Sequence, residues 1–222
     1  MRLPLPFALL FLFLLQPGVF AQSNTSAALQ NYNNGRDMES RNRMFEANYF
    51  YSQAVKICTD DVSRNAANTD TYTILAWSLR RQMKYQDAIT WGDRGLRLYP
   101  DEYRIVETMG EAYFYLADYD NSLRYMQRYV NAVPRGDRTS VAYFFIGEIY
   151  RLSKQFYHAD VAYSTAVKLE NGLALWWYRL GTVREAAGDF SQAVNAYEQA
   201  VKINPSYKEA NDGLARSRKQ TG

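Results

Sequence analysis

The stretch ALWWYRLGTVREAAGDFSQAVNAYEQAVKINPSY, residues 174–207, decides the fold of this protein. Apolar residues recur three and four positions apart in it, both before and after the Gly188-Asp189 pair. This spacing predicts two amphipathic helices joined by a short turn. Pro205 predicts the end of the second helix, because proline cannot continue a helix.

The same pattern recurs upstream at steps of 34, 37 and 34 residues. The first helices carry an apolar residue followed by a small residue at equivalent places: Leu75-Ala76, Met109-Gly110, Ile146-Gly147 and Leu180-Gly181. An aromatic residue follows at Tyr85, Tyr119, Phe156 and Phe190, with a small residue three positions later in each unit. Glycine inside a helix costs about 1 kcal/mol relative to alanine, so its recurrence predicts close helix packing. The step of 37 residues predicts an insertion of three residues among 135–138.

This register divides the chain into five repeats. They cover 35–68, 69–102, 103–136, 140–173 and 174–207. The first is weak, because Arg41-Asn42 stands where the later units have an apolar and a small residue. Residues 22–34 are predicted to be a polar lead-in, and residues 208–222 a capping helix with a tail. The capping helix is expected because a repeat array must cover its last apolar face. The predicted fold class is all-α, because every repeat consists of two helices.

The unit resembles the tetratricopeptide repeat (TPR). Residues that carry the resemblance in 174–207 are Trp177, Leu180-Gly181, Phe190, Ala193, Tyr197, Ala200 and Pro205. The resemblance implies a solenoid of antiparallel helix pairs that form a right-handed superhelix, with the first helix of each pair along a concave groove. It also implies a protein-binding scaffold. Gly92, Tyr129 and Arg184 depart from the family pattern.

The helical period places certain side chains of the first helices on this groove. Our candidates for peptide binding are Trp77, Arg80, Arg81, Glu111, Phe114, Tyr115, Phe144, Glu148, Arg151 and Tyr178. Arg104 and Glu107 lie on the same face. Exposed aromatic rings beside arginine are typical of binding hot spots. The alternative is that curvature buries some of these rings against neighbouring units.

Residues 1–21 are predicted to be a signal peptide. Arg2 precedes the apolar run from Leu3 to Leu15. Val19 and Ala21 then form a cleavage site of small to medium side chains, which predicts cleavage before Gln22. The run is shorter than the ~20 residues that a membrane span needs, although an uncleaved anchor is the alternative. We therefore expect an exported protein without a stable span after cleavage, in a periplasm or, alternatively, secreted.

Composition argues against several function classes. The 26 basic and 23 acidic residues leave a net charge of +3, too small to predict nucleic-acid binding. One histidine, His158, and one cysteine, Cys58, predict neither a zinc site nor a catalytic triad. We expect His158 at the surface, and Cys58 buried in one column with Met126, Tyr163 and Tyr197.

The expected function is an exported scaffold that binds partner polypeptides for assembly or tethering of cell-envelope proteins. We expect a monomer with no cofactor, no metal and no catalytic residue. The alternative is a subunit of a transport or secretion system that holds a small ligand within the superhelix. An enclosed apolar pocket would favour that alternative.

Overall fold

A computed structural model describes residues 22–222. The predicted signal peptide lies outside these residues. The described part contains eleven helices and no strand: α1 Thr25–Ser40, α2 Met44–Ser63, α3 Thr69–Arg81, α4 Tyr85–Leu98, α5 Tyr103–Tyr115, α6 Tyr119–Ala132, α7 Thr139–Leu152, α8 Phe156–Leu169, α9 Ala174–Ala186, α10 Phe190–Ile203 and α11 Lys208–Thr221. None of these helices is long and apolar enough to cross a membrane.

Five three-residue turns fold α1 to α10 into pairs, and each turn has the same geometry. The middle residue adopts a positive φ at Asn42, Met83, Ala117, Lys154 and Gly188. The next amide donates back to a carbonyl five positions earlier, as in the 2.9 Å bond from Asp189 N to Arg184 O. This bond satisfies a carbonyl at the helix end and reverses the chain.

The helices form two layers. First helices of neighbouring pairs contact one another, as α1 contacts α3, α3 contacts α5 and α5 contacts α7. The second helices of the pairs contact mainly the first helix on either side; they are α2, α4, α6, α8 and α10. The first helices therefore form the inner layer, whose free side is the concave face of the solenoid.

The prediction for the N-terminal unit is wrong in register. Residues 22–34 are not a loose lead-in, since α1 begins at Thr25, and Arg41-Asn42 forms the turn rather than part of the first helix. The first pair thus spans 25–63 rather than 35–68. Gly35 occupies the small-residue position, seven residues before the turn. The reason is that α2 has 20 residues, whereas α4 has 14.

The polar residues just before α1 are held in place by one buried carboxylate. Asp61, at the end of α2, accepts hydrogen bonds from the Ser23 hydroxyl at 2.9 Å and from Asn24 N at 2.7 Å. Arg64 pairs with the same side chain at 2.5 Å. These bonds satisfy the buried charge and fix where α1 begins.

Large side chains of the second helices pack against glycines of the first helices. A Cβ at Gly35 would lie 2.5 Å from the ring of Tyr51, and one at Gly147 would lie 2.6 Å from that of Tyr163. The ring of Tyr197 lies between Gly181 and Gly213 of α11. Tyr51, not Cys58, therefore belongs to the column of Met126, Tyr163 and Tyr197.

We expect Gly181→Ala to lower the free energy of unfolding by about 1–2 kcal/mol. The added Cβ would lie 2.6 Å from the Tyr197 ring, which cannot retreat because Gly213 is on its other side. Overpacking of this kind costs about 1–3 kcal/mol, and the better helix propensity of alanine offsets only part of it. Urea unfolding followed by circular dichroism measures the change. Gly172→Ala is the control, because a Cβ there meets no atom within 4 Å; an equal loss in both variants would contradict the packing argument.

Candidate functional site on the concave face

A cavity of about 350 Å³ lies on the inner layer, between α1, α3 and α5. Arginine supplies five of its ten lining residues, and glutamate supplies one. The lining consists of Tyr32, Asn33, Arg36, Trp77, Arg80, Arg81, Arg104, Glu107, Tyr129 and Arg138. The cavity is thus rich in cations and has aromatic walls.

Two buried glutamates of α5 form the floor of this site. Glu111 is 2% exposed and pairs with Arg80 of α3 at 2.7 Å and with Arg138. Glu107, one turn earlier, accepts a hydrogen bond of 3.0 Å from Arg138 Nε. Arg138 comes from the six-residue connection between α6 and α7, so the inserted residues bring a cation to the two carboxylates.

The two carboxyl groups titrate in opposite directions. Burial and the neighbouring Glu111 carboxylate raise the pKa of Glu107 above its ordinary value. Burial also opposes the charge of Glu111, but Arg80 and Arg138 outweigh it and lower the pKa of Glu111. Glu111 is therefore the charged partner of the arginines, and Glu107 is the group that holds a proton most readily.

An aromatic and cationic stack crosses the first three units. The Trp77 ring stacks on Tyr32 of α1 at 5.2 Å, and the Arg104 guanidinium of α5 lies 5.8 Å from the Trp77 ring centroid on this concave face. Arg36 lies 6.0 Å from the Tyr32 ring. Arg104 is fixed by Glu102 at 2.7 Å and Asp70 at 2.9 Å. These contacts hold planar groups in place along the groove before any partner binds.

The C-terminal half of the groove repeats a tyrosine–glutamate–arginine arrangement. Glu148 of α7 accepts a hydrogen bond from the Tyr163 hydroxyl and pairs with Arg151 at 2.7 Å and Arg179 at 3.0 Å. Phe144 stacks on Trp176 of the next unit at 5.1 Å. Much of this half is therefore used in holding units together.

The predicted groove residues do lie on or beside the inner layer, but their exposure differs from the prediction. Glu111 and Glu148 are buried under arginines, so the expectation of exposed carboxylates is wrong for both. Five candidates are partly buried by contacts with neighbouring units: Trp77, Arg81, Phe114, Phe144 and Tyr178. Arg80 and Arg151 are held by Glu111 and Glu148. Tyr115 is 52% exposed and stacks on Tyr85 at 4.9 Å. Contacts with neighbouring units thus bury side chains that helical periodicity alone predicts to be exposed.

Sequence reasoning missed three important members of the site. Tyr32 and Arg36 lie in the stretch interpreted as a lead-in and in the weak first repeat, and Arg138 lies in the insertion. The glycine at 35, followed after seven residues by the turn at Asn42, was the available sign that α1 belongs to the array.

Cys58 and His158 take no part in this site. Cys58 is fully buried, which confirms the expected burial, and burial raises the pKa of its thiol to about 12. His158 is exposed at the start of α8, as predicted, beside the Tyr150 ring at 5.1 Å. Within residues 22–222, no three His, Cys, Asp or Glu side chains are grouped so that they could hold a metal ion.

Comparison with known proteins agrees with this fold. The family model described as "Tetratricopeptide repeat" matches residues 174–207. Residues 174–207 are a tetratricopeptide repeat, and the described chain has the all-α TPR fold. Solved TPR structures extend the agreement from one repeat to most of the chain, and MamA from Desulfovibrio magneticus RS-1 is similar with a TM-score of 0.65. It is 18% identical, over 85% of this chain and 99% of that one.

Two further TPR structures have similar folds. A thermophilic TPR protein of Thermus thermophilus is 16% identical, with a TM-score of 0.64 over 86% of this chain and 99% of that one. YrrB, described as a TPR protein with an unusual peptide-binding site, is 19% identical, with a TM-score of 0.57 over 86% of this chain and 94% of that one. At such identities these likenesses show the fold alone.

Proposed function

We propose that this TPR protein is a scaffold that binds partner polypeptides on its concave face. The observation that carries the proposal is the cavity between α1, α3 and α5. Rings of Tyr32, Trp77 and Tyr129 and five arginines line it. Contacts across units hold Trp77 against Tyr32 and Arg104 near Trp77. Aromatic and arginine side chains that are already ordered lose little conformational entropy when a partner binds. A peptide-binding site in the similarly folded YrrB agrees with this proposal.

We expect Trp77→Ala/Tyr115→Ala to weaken partner binding at least about tenfold, because hot-spot aromatic residues each contribute about 2 kcal/mol or more. The measurement is capture of peptides by residues 22–222 from a display library, followed by titration of the enriched peptides. Tyr157→Ala is the matched control, because Tyr157 is 77% exposed on α8 in the outer layer. Equal binding by the double variant and the wild type would overturn the proposal.

The alternative is that the same cavity holds a small ligand. Its volume of about 350 Å³ falls within the range of small-molecule sites. The exposed Arg36 and Arg104 at its edge instead favour a partner polypeptide, which would extend beyond the cavity along the groove. A display library that yields no peptide would favour the small ligand.

We further propose that the scaffold is exported and serves assembly or tethering of cell-envelope proteins, without catalysis. The support is the Arg2 and Leu3–Leu15 pattern of the N-terminal residues together with an array that offers a binding face. N-terminal sequencing of the full-length chain, produced in cells, is expected to begin at Gln22. A product that retains residues 1–21 in the cytoplasm would contradict export.

A further inference from the structure

Positive charges outnumber negative ones in the lining of the concave cavity, and this imbalance favours one chemical class of ligand. Arg36 forms no ion pair with any residue of 22–222, and it lies at the exposed edge of the cavity. The Nε–H groups of Arg80 and Arg81 are buried and have no acceptor among the same residues. Glu107 is the only acidic residue in the lining. The lining of the cavity therefore carries an excess of positive charge, with an exposed arginine at its edge, and this favours an anionic ligand.

Arg138 can change partners without leaving the site. Its guanidinium contacts both Glu107 and Glu111, whereas its side chain is 44% exposed. Glu111 also has Arg80, so it stays paired if Arg138 turns toward a ligand. Glu107 has no second hydrogen-bonded arginine among the described residues, so it is the carboxyl that an incoming carboxylate can displace.

We propose that the cavity binds an acidic segment of the partner, one carboxylate of which replaces Glu107 on Arg138 while Arg36 and Arg104 bind its neighbours. This inference rests on the proposed function and names the chemical class of its ligand. The displaced Glu107 stays buried and faces Glu111 on its own helix, Arg80 of α3 and Tyr129 of α6. A buried carboxyl that loses its arginine takes up a proton from solvent, so binding is coupled to proton uptake.

The experiment uses residues 22–222 and three fluorescein-labelled octapeptides in which alternate residues are all Glu, all Gln or all Lys. We expect the Glu peptide to bind at least about tenfold more tightly than the Gln and Lys peptides, since charge-assisted contacts to arginine are the strong ones. Its affinity is expected to fall as pH rises from 6.5 to 8.5. Arg36→Gln is expected to weaken it about tenfold, without loss of folding, because Arg36 has no ion pair within residues 22–222 to lose. Arg97→Gln, on α4 in the outer layer, is the control.

Glu107→Gln separates exchange from simple charge attraction, because it removes the titrating group and keeps the cavity. We expect binding of the Glu peptide by this variant to lose its pH dependence. Competition by free succinate shows whether a small carboxylate suffices; a peptide that succinate cannot displace at millimolar concentration supports a polypeptide ligand. Equal binding of all three peptides would overturn the inference. If the display library enriches neutral or basic peptides that need Trp77, the binding function stands and the acidic ligand is wrong. If no peptide is captured, both fail.

Discussion

Tyr163→Ala is expected to lower the free energy of unfolding by about 4 kcal/mol, since deletion of a buried aromatic ring costs about 3–5 kcal/mol. The Tyr163 ring is fully buried against Gly147, near Phe144 at 5.6 Å. Its hydroxyl donates to Glu148, which is itself buried. The variant thus leaves a cavity and removes a hydrogen bond at the same point in the fourth unit.

The four tryptophans make this loss measurable along the array. Trp77 and Trp91 report on the second unit, and Trp176 and Trp177 report on the fifth. Each repeat is stabilised mainly by its neighbours, so damage to the fourth unit is expected to reach the fifth before the second. Urea unfolding followed by tryptophan fluorescence and by circular dichroism measures both effects. Tyr163→Phe is the control and should lose about 1 kcal/mol, for the hydrogen bond alone. A loss below about 1 kcal/mol in Tyr163→Ala would contradict this assignment.

Much of the fold follows from the repeating columns of the sequence. Leu180-Gly181, Phe190 and Ala193 recur in register with residues of three earlier units, because each pair packs on its neighbour with the same geometry. The turn at Gly188 also lies where the pattern places it. The array of paired helices is thereby predictable from local periodicity, and the resemblance to the TPR family adds the arrangement of the pairs.

The first unit was not predictable in register, for a physical reason. Tyr51 and Cys58 are seven residues apart, which is about two helical turns, so both lie on the same buried face of α2. A fixed repeat length of 34 residues places Cys58 at the position equivalent to Met126, Tyr163 and Tyr197, which Tyr51 occupies in the structure. Only the longer α2 and the packing of Gly35 on Tyr51 separate the two registers.

The candidate site was only partly predictable, because its charges pair between units. Helical periodicity places Arg80 and Glu111 on the groove but does not indicate that they bind each other. Arg138 lies in a connection, where no helical face defines its direction. The exposed or buried state of a groove residue thus depends on the neighbouring unit, which local sequence does not encode.

Glu111→Gln and Glu107→Gln are expected to change stability by very different amounts, although the two residues are one turn apart on α5. Glu111→Gln should lower the free energy of unfolding by about 3 kcal/mol, because removal of one partner from a buried ion pair costs about 3–5 kcal/mol. The side chain of Arg80 is only 13% exposed and has Glu111 as its ion-pair partner. Glutamine retains an oxygen that can accept from Arg138, so Glu107→Gln should be close to neutral at low pH.

The pH dependence decides between these roles. The pKa of Glu107 is higher in the folded chain than its ordinary value of 4.5. The wild type therefore loses stability as pH rises from this ordinary value toward the raised one, because over this range the folded state still holds a proton that the unfolded state has lost. Glu107→Gln lacks this loss, so its stability relative to the wild type should increase between pH 5 and pH 9, by on the order of 1 kcal/mol. Thermal unfolding at pH 5, 7 and 9 measures the difference. A constant difference across that range, or an equal cost for both substitutions, would mean that the two carboxyls share one role, and the exchange of partners on Arg138 would lose its physical basis.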